Sequence, residues 1–234
     1  MFKHLIFGQT KRIIRDKMYL FFMFFPLFII AISLWLVPYL QTELGDLAAN
    51  IVSLVLILMT PFMFGALTAF TLLDDRDDHV FDSLKITPLK VTTYINIKLI
   101  IAYIFGVISS LLVLFLNTHL EMSVLDKILI SLLSSMSAPT IALLVNAFSS
   151  NKVEGFVIMK SAGLIILLPI AAMFVFNWTE LFLGIIPGFW PARMISMSLL
   201  PTDFFMPLYL YFTFGILVNA IYIVFFYRLF KKRI

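Results

Sequence analysis

Six long apolar stretches restrict the folds open to this chain. A helix rises about 1.5 Å per residue, so crossing about 30 Å of hydrocarbon takes roughly 20 mostly apolar residues. Stretches of that length lie at residues 18–40, 51–73, 94–116, 127–148, 156–176 and 207–228. Because 62% of the residues are hydrophobic and only 13% are charged, outside the range of soluble domains, the sequence predicts an all-α integral membrane protein. Kinks are expected at four interior prolines, Pro26, Pro61, Pro139 and Pro169.

The basic residues predict how these spans are oriented. With the N-terminus inside, 15 of the 17 Lys and Arg residues lie at cytoplasmic ends, and only Lys127 and Arg193 lie outside. Positive charge is enriched on the cytoplasmic side of membrane proteins, so both termini are expected in the cytoplasm. Because the basic residues stand at span ends rather than on one soluble surface, the net charge of +4 does not indicate nucleic-acid binding.

Two further segments are apolar but are not expected to cross the membrane. Within residues 1–17, apolar side chains share one helical face and basic side chains avoid it, which is typical of an amphipathic helix lying on anionic lipid. Residues 181–200 are interrupted by Pro187, Gly188 and Pro191, and proline is poorly tolerated inside a helix. This segment is predicted to form two short re-entrant half-helices on the external side, shielded by protein.

The segment TLLDDRDDHVFDSLKITPLK, residues 71–90, holds five of the thirteen acidic residues. As a DDxxDxxxD run, Asp74, Asp75, Asp78 and Asp82 match the diphosphate-binding motif of membrane prenyltransferases. Magnesium would bridge such a motif to its ligand, because this hard cation takes carboxylate and phosphate oxygens. A second acidic motif facing the first would be needed, and the remaining acids form none. A magnesium-dependent prenyltransferase is therefore the alternative interpretation.

The same segment can alternatively form a short cytoplasmic helix. Asp77 or Asp78 can cap its N-terminus, and its small apolar face consists of Val80, Phe81 and Leu84. In one interpretation this face is exposed, and Phe81 inserts into a groove of a partner protein. In the other, the face packs against the ends of the chain's own spans.

The spans lack the groups typical of ion-coupled transport. Such transporters place ionisable side chains near mid-bilayer, where burial is costly. Here Lys98 and Lys160 lie near span ends and are expected to extend their ammonium groups into water, while Asn96, Asn146 and Asn219 are expected to bond between helices. The chain also contains no GxxxxGK[ST] phosphate loop and no cysteine. Unless the chain is a passive channel, its energy is therefore expected to come from an ATPase on a separate polypeptide.

Together these features resemble the permease subunit of ABC-2 type exporters over essentially the whole chain. The resemblance rests on IIRDKMYLFFMFFP near the N-terminus, on LLDDRDDHVFDSLKITPLKVTTYINIKL with its TPL turn, and on IIPGFWPARMIS before the last span. NKVEGFVIMKSAGLIILLP is similar to small bacterial permeases commonly named fluoroquinolone exporters. The resemblance implies one ABC-2 type transmembrane domain over residues 1–234, with an elbow helix at 1–17, a coupling-helix loop at 74–90 and an external re-entrant segment at 181–200.

The resemblance implies a transport subunit that works with partners. Two permeases, identical or paired with a homologue, would stand against two ATP-binding-cassette ATPase subunits at a bacterial cytoplasmic membrane. The ATPases would hold ATP and magnesium, and their closure would shift the coupling helix. An amphipathic or hydrophobic substrate, such as a drug, peptide or lipid-like molecule, would leave the cell. The permease itself would be no enzyme and would bind no cofactor or metal.

The resemblance also implies two sets of candidate residues. Contact with the ATPase is expected from Asp77, Asp78, Val80, Phe81, Leu84, Lys85, Lys152 and Glu154. An external gate is expected from Pro187, Phe189, Trp190, Pro191 and Arg193. Trp190 is alternatively an anchor at the membrane surface, and Arg193 is expected to pair with Glu180 or with lipid phosphate.

Overall fold

The structure is a computed structural model that describes residues 17–117 and 122–233, without the side chains of 17–23 and 164–167. The predicted elbow helix, residues 1–17, lies outside the described residues apart from the backbone of Lys17. The described residues form ten α-helices and a 3-10 helix: α1 (Lys17–Leu44), α2 (Asp46–Asp77), α3 (Val80–Lys85), α4 (Val91–Leu116), α5 (Val124–Ser134), α6 (Ser137–Phe148), α7 (Lys152–Leu167), the 3-10 helix (Leu168–Met173), α8 (Glu180–Leu183), α9 (Phe189–Leu199) and α10 (Leu208–Lys231).

Among the described residues, six segments are long and apolar enough to cross a membrane, which confirms the predicted all-α fold with six spans. Four of them are single helices, namely α1, α2, α4 and α10. The fourth span consists of α5 followed by α6, and the fifth of α7 followed by the 3-10 helix. The second span is longer than predicted, because α2 continues to Asp77 instead of ending at residue 73.

Two left-handed residues form the turns at the ends of α2. Gly45 connects α1 to α2 with φ at +87°, a conformation that glycine adopts without steric cost. His79 connects α2 to α3 with φ at +55° and occupies the N-cap position of α3. Because Asp77 and Asp78 end α2, the prediction that one of them caps the following helix is wrong.

Proline divides the fourth span as predicted. Pro139 has no N–H to donate to the carbonyl of Ser135, and the backbone N–H of Ala138 donates to that carbonyl instead, at 3.0 Å. This bond spans three residues instead of the four of an α-helix, and the resulting tighter turn separates α5 from α6. Pro169 lies in the 3-10 helix that ends the fifth span, so the regular helix also ends near this proline.

The core is centred on α2, which packs against α1, α4, α6 and α7. It approaches α6 most closely at Gly65, where an added Cβ would stand 2.7 Å from the carbonyl oxygen of Ala138. The amide of Asn146 in α6 donates to the carbonyl of Ala69 in α2 at 3.1 Å. By contrast, α1 and α10 lie at the periphery and expose large apolar side chains that a bilayer would cover.

The described basic side chains are concentrated at one end of the bundle. We call it the α3 end; it comprises residues 74–90, 149–152 and 228–233, which meet through the contacts described below. Exposed basic residues there include Lys85, Lys90, Lys152, Arg228, Lys231, Lys232 and Arg233. At the opposite end the described basic residues are Lys127 and Arg193. This asymmetry fits a cytoplasmic α3 end, and the orientation stays a prediction.

Candidate functional site

The predicted coupling helix corresponds to α3, but the side chain expected to be exposed is buried. Phe81 is only 5% exposed and packs in an apolar cluster with Leu73 of α2 and Tyr94 of α4. Val80 and Leu84 are half-buried against the same cluster. The interpretation of Phe81 as an exposed group for a partner's groove is therefore wrong. Its ring instead holds α3 against the spans on either side.

The outward surface of α3 is polar except for one residue. Ile86, directly after the helix, is 90% exposed. Asp82 accepts a hydrogen bond from Lys85 Nζ at 3.1 Å and contacts His79 Nδ1 at 3.3 Å. The bond from Lys85, followed by that from His79, lowers the pKa of Asp82, so its carboxylate is ionised at neutral pH. Ile86 was not among the predicted contact residues, because in the sequence it is only a single apolar residue between Lys85 and Thr87.

The loop between the fourth and fifth spans lies beside α2 at the α3 end. Lys152 forms an ion pair with Asp74. The Glu154 carboxylate accepts from the backbone N–H of Ser150 at 2.7 Å, and the Glu154 N–H donates to the Asn151 side chain at 3.0 Å. The Asn151 side chain thus caps the start of α7, and Glu154 adds a bond to the residue before this N-cap. Of the two predicted contact residues in this loop, Lys152 therefore joins the loop to α2, while Glu154 stabilises the start of its own helix.

The four carboxylates of the DDxxDxxxD run do not converge. Asp74, Asp75 and Asp82 each pair with a different lysine, while Asp77 and Asp78 are exposed at the end of α2. Within the described ranges, no three His, Asp or Glu side chains are arranged to hold a metal ion. The geometry gives no support to a magnesium and diphosphate site.

Arg76 connects three helices at the α3 end. Its guanidinium donates to the carbonyl of Ser149 at 2.8 Å and to that of Asn146 at 3.4 Å, at the end of α6. The same guanidinium lies 5.5 Å from the ring centroid of Phe230 in α10. Sequence analysis counted Arg76 only as a positive charge, because its partners are distant in the sequence.

Lys98 does not reach water, contrary to prediction. Its side chain is 6% exposed and forms an ion pair with the fully buried Asp75. The hydroxyl of Tyr94 donates to the same carboxylate at 3.0 Å. Since Asp75 belongs to α2 and the other two residues to α4, this cluster joins the helices on either side of α3. Lys160, by contrast, is exposed as expected.

Residues 181–200 form short helices between the fifth and sixth spans, as predicted. Pro187 lies in the turn between α8 and α9, and Pro191 lies in the first turn of α9, where its missing N–H is not needed. Phe189 and Trp190 are buried, and the indole N–H of Trp190 donates to a backbone carbonyl at 2.9 Å. The interpretation of Trp190 as an anchor at the membrane surface is therefore wrong.

Arg193 is the centre of a buried polar cluster. It forms an ion pair with Glu180, and both side chains have no exposed surface. Its guanidinium also donates to the carbonyl of Ala172, at 2.7 Å, and to that of Val175. The hydroxyl of Tyr211 in α10 donates to Glu180. The predicted pairing with Glu180 is confirmed, and Tyr211 is the member that sequence analysis missed.

Of the three predicted amide bonds between helices, the one from Asn146 is confirmed. The Asn219 amide in α10 donates instead to a turn, at the carbonyl of Pro187, at 3.1 Å. Asn96 is instead exposed and lines a lateral groove of about 510 Å³ with Tyr103 and mostly apolar side chains. An inner cavity that Asn219 also lines has only about 60 Å³. Drug-sized ligands occupy pockets of about 300 Å³ or more, so of these two spaces only the groove is large enough.

The six spans, the short helix α3 at the basic end and the buried α8–α9 hairpin at the opposite end define a class, that of multi-pass helical membrane proteins. A comparison with protein families matches residues 9–227 to the family described as fluoroquinolones export permease protein Rv2686c-like. The chain belongs to this family.

Curated relatives support the same assignment. The chain is 26% identical over 140 residues to the fluoroquinolones export permease proteins MT2760 and Rv2686c of two Mycobacterium tuberculosis strains, CDC 1551 / Oshkosh and ATCC 25618 / H37Rv. The alignment covers 59% of this chain and 56% of each relative, so the matched region spans little more than half of the relatives' length. No solved structure matches the chain.

Proposed function

We propose that this chain is the membrane permease of a drug exporter that uses ATP hydrolysed by a separate ATP-binding-cassette ATPase. Family membership and the names of the relatives support an export permease. Because the sequence contains no phosphate loop, the proposal assigns ATP hydrolysis, with its magnesium, to a partner. The observation that carries the proposal is the position of α3, a short helix that packs against two spans through the buried Phe81 at the basic end of the bundle.

In this proposal, the surface around Ile86 contacts the ATPase. An isolated, nearly fully exposed isoleucine can enter an apolar pocket of a partner, where removal from water supplies most of the affinity. His79, Asp82 and Lys85 surround it with exposed polar groups, which suits the rim of an interface. Phe81 would contribute indirectly, by fixing the position of the surface.

The proposed substrate is a fluoroquinolone or a similar amphipathic drug. The lateral groove has mainly apolar walls, with the amide of Asn96 and the hydroxyl of Tyr103 as polar groups, and this combination suits a planar molecule of mixed polarity. Two permease copies would enclose the pathway in a bacterial cytoplasmic membrane, with the α3 end and both termini in the cytoplasm.

Replacing Ile86 by aspartate tests the contact with the ATPase. We expect Ile86→Asp to lower co-purification of the cognate ATPase at least about tenfold, because a charge would have to enter an apolar pocket. Leu44→Asp is the matched control, since Leu44 is 70% exposed at the opposite end. Equal recovery of the ATPase with both variants, together with unchanged ciprofloxacin efflux, would contradict the proposal.

The proposed orientation can be tested by labelling, because the chain contains no cysteine. We expect Ile86→Cys to react with a membrane-impermeant maleimide only after spheroplasts are permeabilised. Leu44→Cys, which lies at the other end of the bundle, should react in intact spheroplasts. The reverse pattern would place the α3 end outside the cell and would be incompatible with a cytoplasmic ATPase.

A further inference from the structure

The Asp75–Lys98–Tyr94 cluster lies immediately below α3. Asp75 is in the last turn of α2, and its partners lie one helical turn apart on α4. The Lys98 ammonium also lies 3.4 Å from the carbonyl oxygen of Thr71, one turn earlier in α2, and 5.1 Å from the Tyr94 ring centroid. A fixed set of directional contacts therefore connects α2 to α4 at this depth.

The cluster is an unusual way to hold two membrane helices together. Removing two charges from water is costly, and apolar side chains of similar volume would often hold helices equally well or better. What charged and hydrogen-bonded groups add is a defined relative position, because both their distances and their directions are restricted. The cluster therefore indicates that the position of α2 relative to α4 is important, in addition to the strength with which the two helices are held together.

The same helices receive α3 between them. Phe81 of α3 belongs to one apolar cluster with Leu73 of α2 and Tyr94 of α4, and Tyr94 also donates to Asp75. A displacement of α3 would thus press on α2 and α4 at once. Without the polar cluster, the helices could separate or slide instead of following α3.

We propose that Asp75, Lys98 and Tyr94 are positioning residues that make α2 and α4 move together when α3 is displaced. This inference rests on the proposed function, in which the ATPase displaces α3. The polar cluster transmits that displacement from the α3 end into the second and third spans. It is not part of the surface that binds the ATPase, since Asp75, Lys98 and Tyr94 are all buried.

The test uses the permease reconstituted with its ATPase, with Asp75→Asn and Lys98→Gln as variants and Lys160→Gln as the control for loss of an exposed lysine. Three quantities are measured: the ATPase bound per folded permease, the rate of ATP hydrolysis, and the ciprofloxacin exported per ATP. We expect both variants to retain ATPase binding within about twofold and to lose about tenfold in export per ATP, a typical size for a coupling free energy.

Two further variants separate positioning from stability. The exchanged pair Asp75→Lys with Lys98→Asp should restore most of the export per ATP. Tyr94→Phe removes only a hydroxyl, so it can be measured even if the charge variants do not fold. We expect this variant to lose about threefold in export per ATP while its thermal stability stays normal.

Normal export per ATP in the single variants, or a loss of export that only parallels the loss of folded permease, would overturn the inference while leaving the proposed function intact. Absence of any ATPase bound to the unmodified chain would overturn the proposed function and this inference with it.

Discussion

Replacing Arg193 by methionine is expected to lower the free energy of unfolding by about 3–5 kcal/mol, because the variant leaves the Glu180 carboxylate buried without a cation. The guanidinium also satisfies the carbonyls of Ala172 and Val175, which would lose their donors. Methionine keeps much of the apolar volume, so the effect reports on charge and hydrogen bonds rather than on a cavity. The measurement is the thermal or denaturant unfolding of the purified permease in detergent.

Three further variants test whether the loss of the ion pair between Arg193 and Glu180 causes the lower stability of Arg193→Met. Lys127→Met removes the other described basic residue at the same end and should change stability by no more than about 1 kcal/mol, because its ammonium loses only a contact with the Phe115 ring, at 5.2 Å. Glu180→Gln combined with Arg193→Met removes both charges and should recover much of the loss. Tyr211→Phe should cost about 1–3 kcal/mol, because the hydroxyl donates to Glu180 and also accepts from the Met206 N–H at 3.2 Å. If Arg193→Met and Lys127→Met were equally stable, the ion pair would contribute nothing.

This cluster also changes how the predicted external gate can operate. Arg193 connects α9 to the end of the fifth span, and Tyr211 connects the same cluster to the start of the sixth. The amide of Asn219 adds a second bond between α10 and the turn at Pro187. Held at these points, α8 and α9 are expected to move together with the flanking spans rather than separately.

The spans and their interruptions could be predicted because each depends on local properties. Length and hydropathy alone define a helix that can cross a bilayer, and a proline such as Pro139 interrupts a helix by lacking an N–H, whatever surrounds it. The pairing of Arg193 with Glu180 could also be predicted from the sequence, because the segment between the fifth and sixth spans holds few other charged groups.

The environment of α3 could not be predicted in the same way. Periodicity identifies Val80, Phe81 and Leu84 as one face but does not say whether that face meets a partner or the chain itself. The pairing of Lys98 with Asp75 depends on how α2 and α4 are aligned across a loop, and the role of Tyr211 depends on contacts between distant segments. Such contacts are properties of the tertiary structure and leave no periodic signal.

A substitution at the close contact between α2 and α6 is also expected to lower stability strongly. Membrane helices approach closely where small residues meet, and Gly65 faces the backbone of Ala138 at such a point. We expect Gly65→Ala to lower the free energy of unfolding by about 1–3 kcal/mol, the usual cost of overpacking, because the new Cβ would stand 2.7 Å from the Ala138 carbonyl oxygen and 3.0 Å from its Cα. Thermal unfolding in detergent measures the loss.

A second glycine provides a control with the opposite sign. Gly163 in α7 has no atom of the described side chains or backbone within 4 Å of an added Cβ, so Gly163→Ala should raise stability by up to about 1 kcal/mol through the better helix propensity of alanine. Adding Ala138→Gly to Gly65→Ala should not restore stability, because the clashing atoms belong to the backbone. Equal unfolding midpoints for the two alanine variants would show that α2 and α6 are not packed this closely, and the hydrogen bond from Asn146 to Ala69 would then lose its structural basis as well.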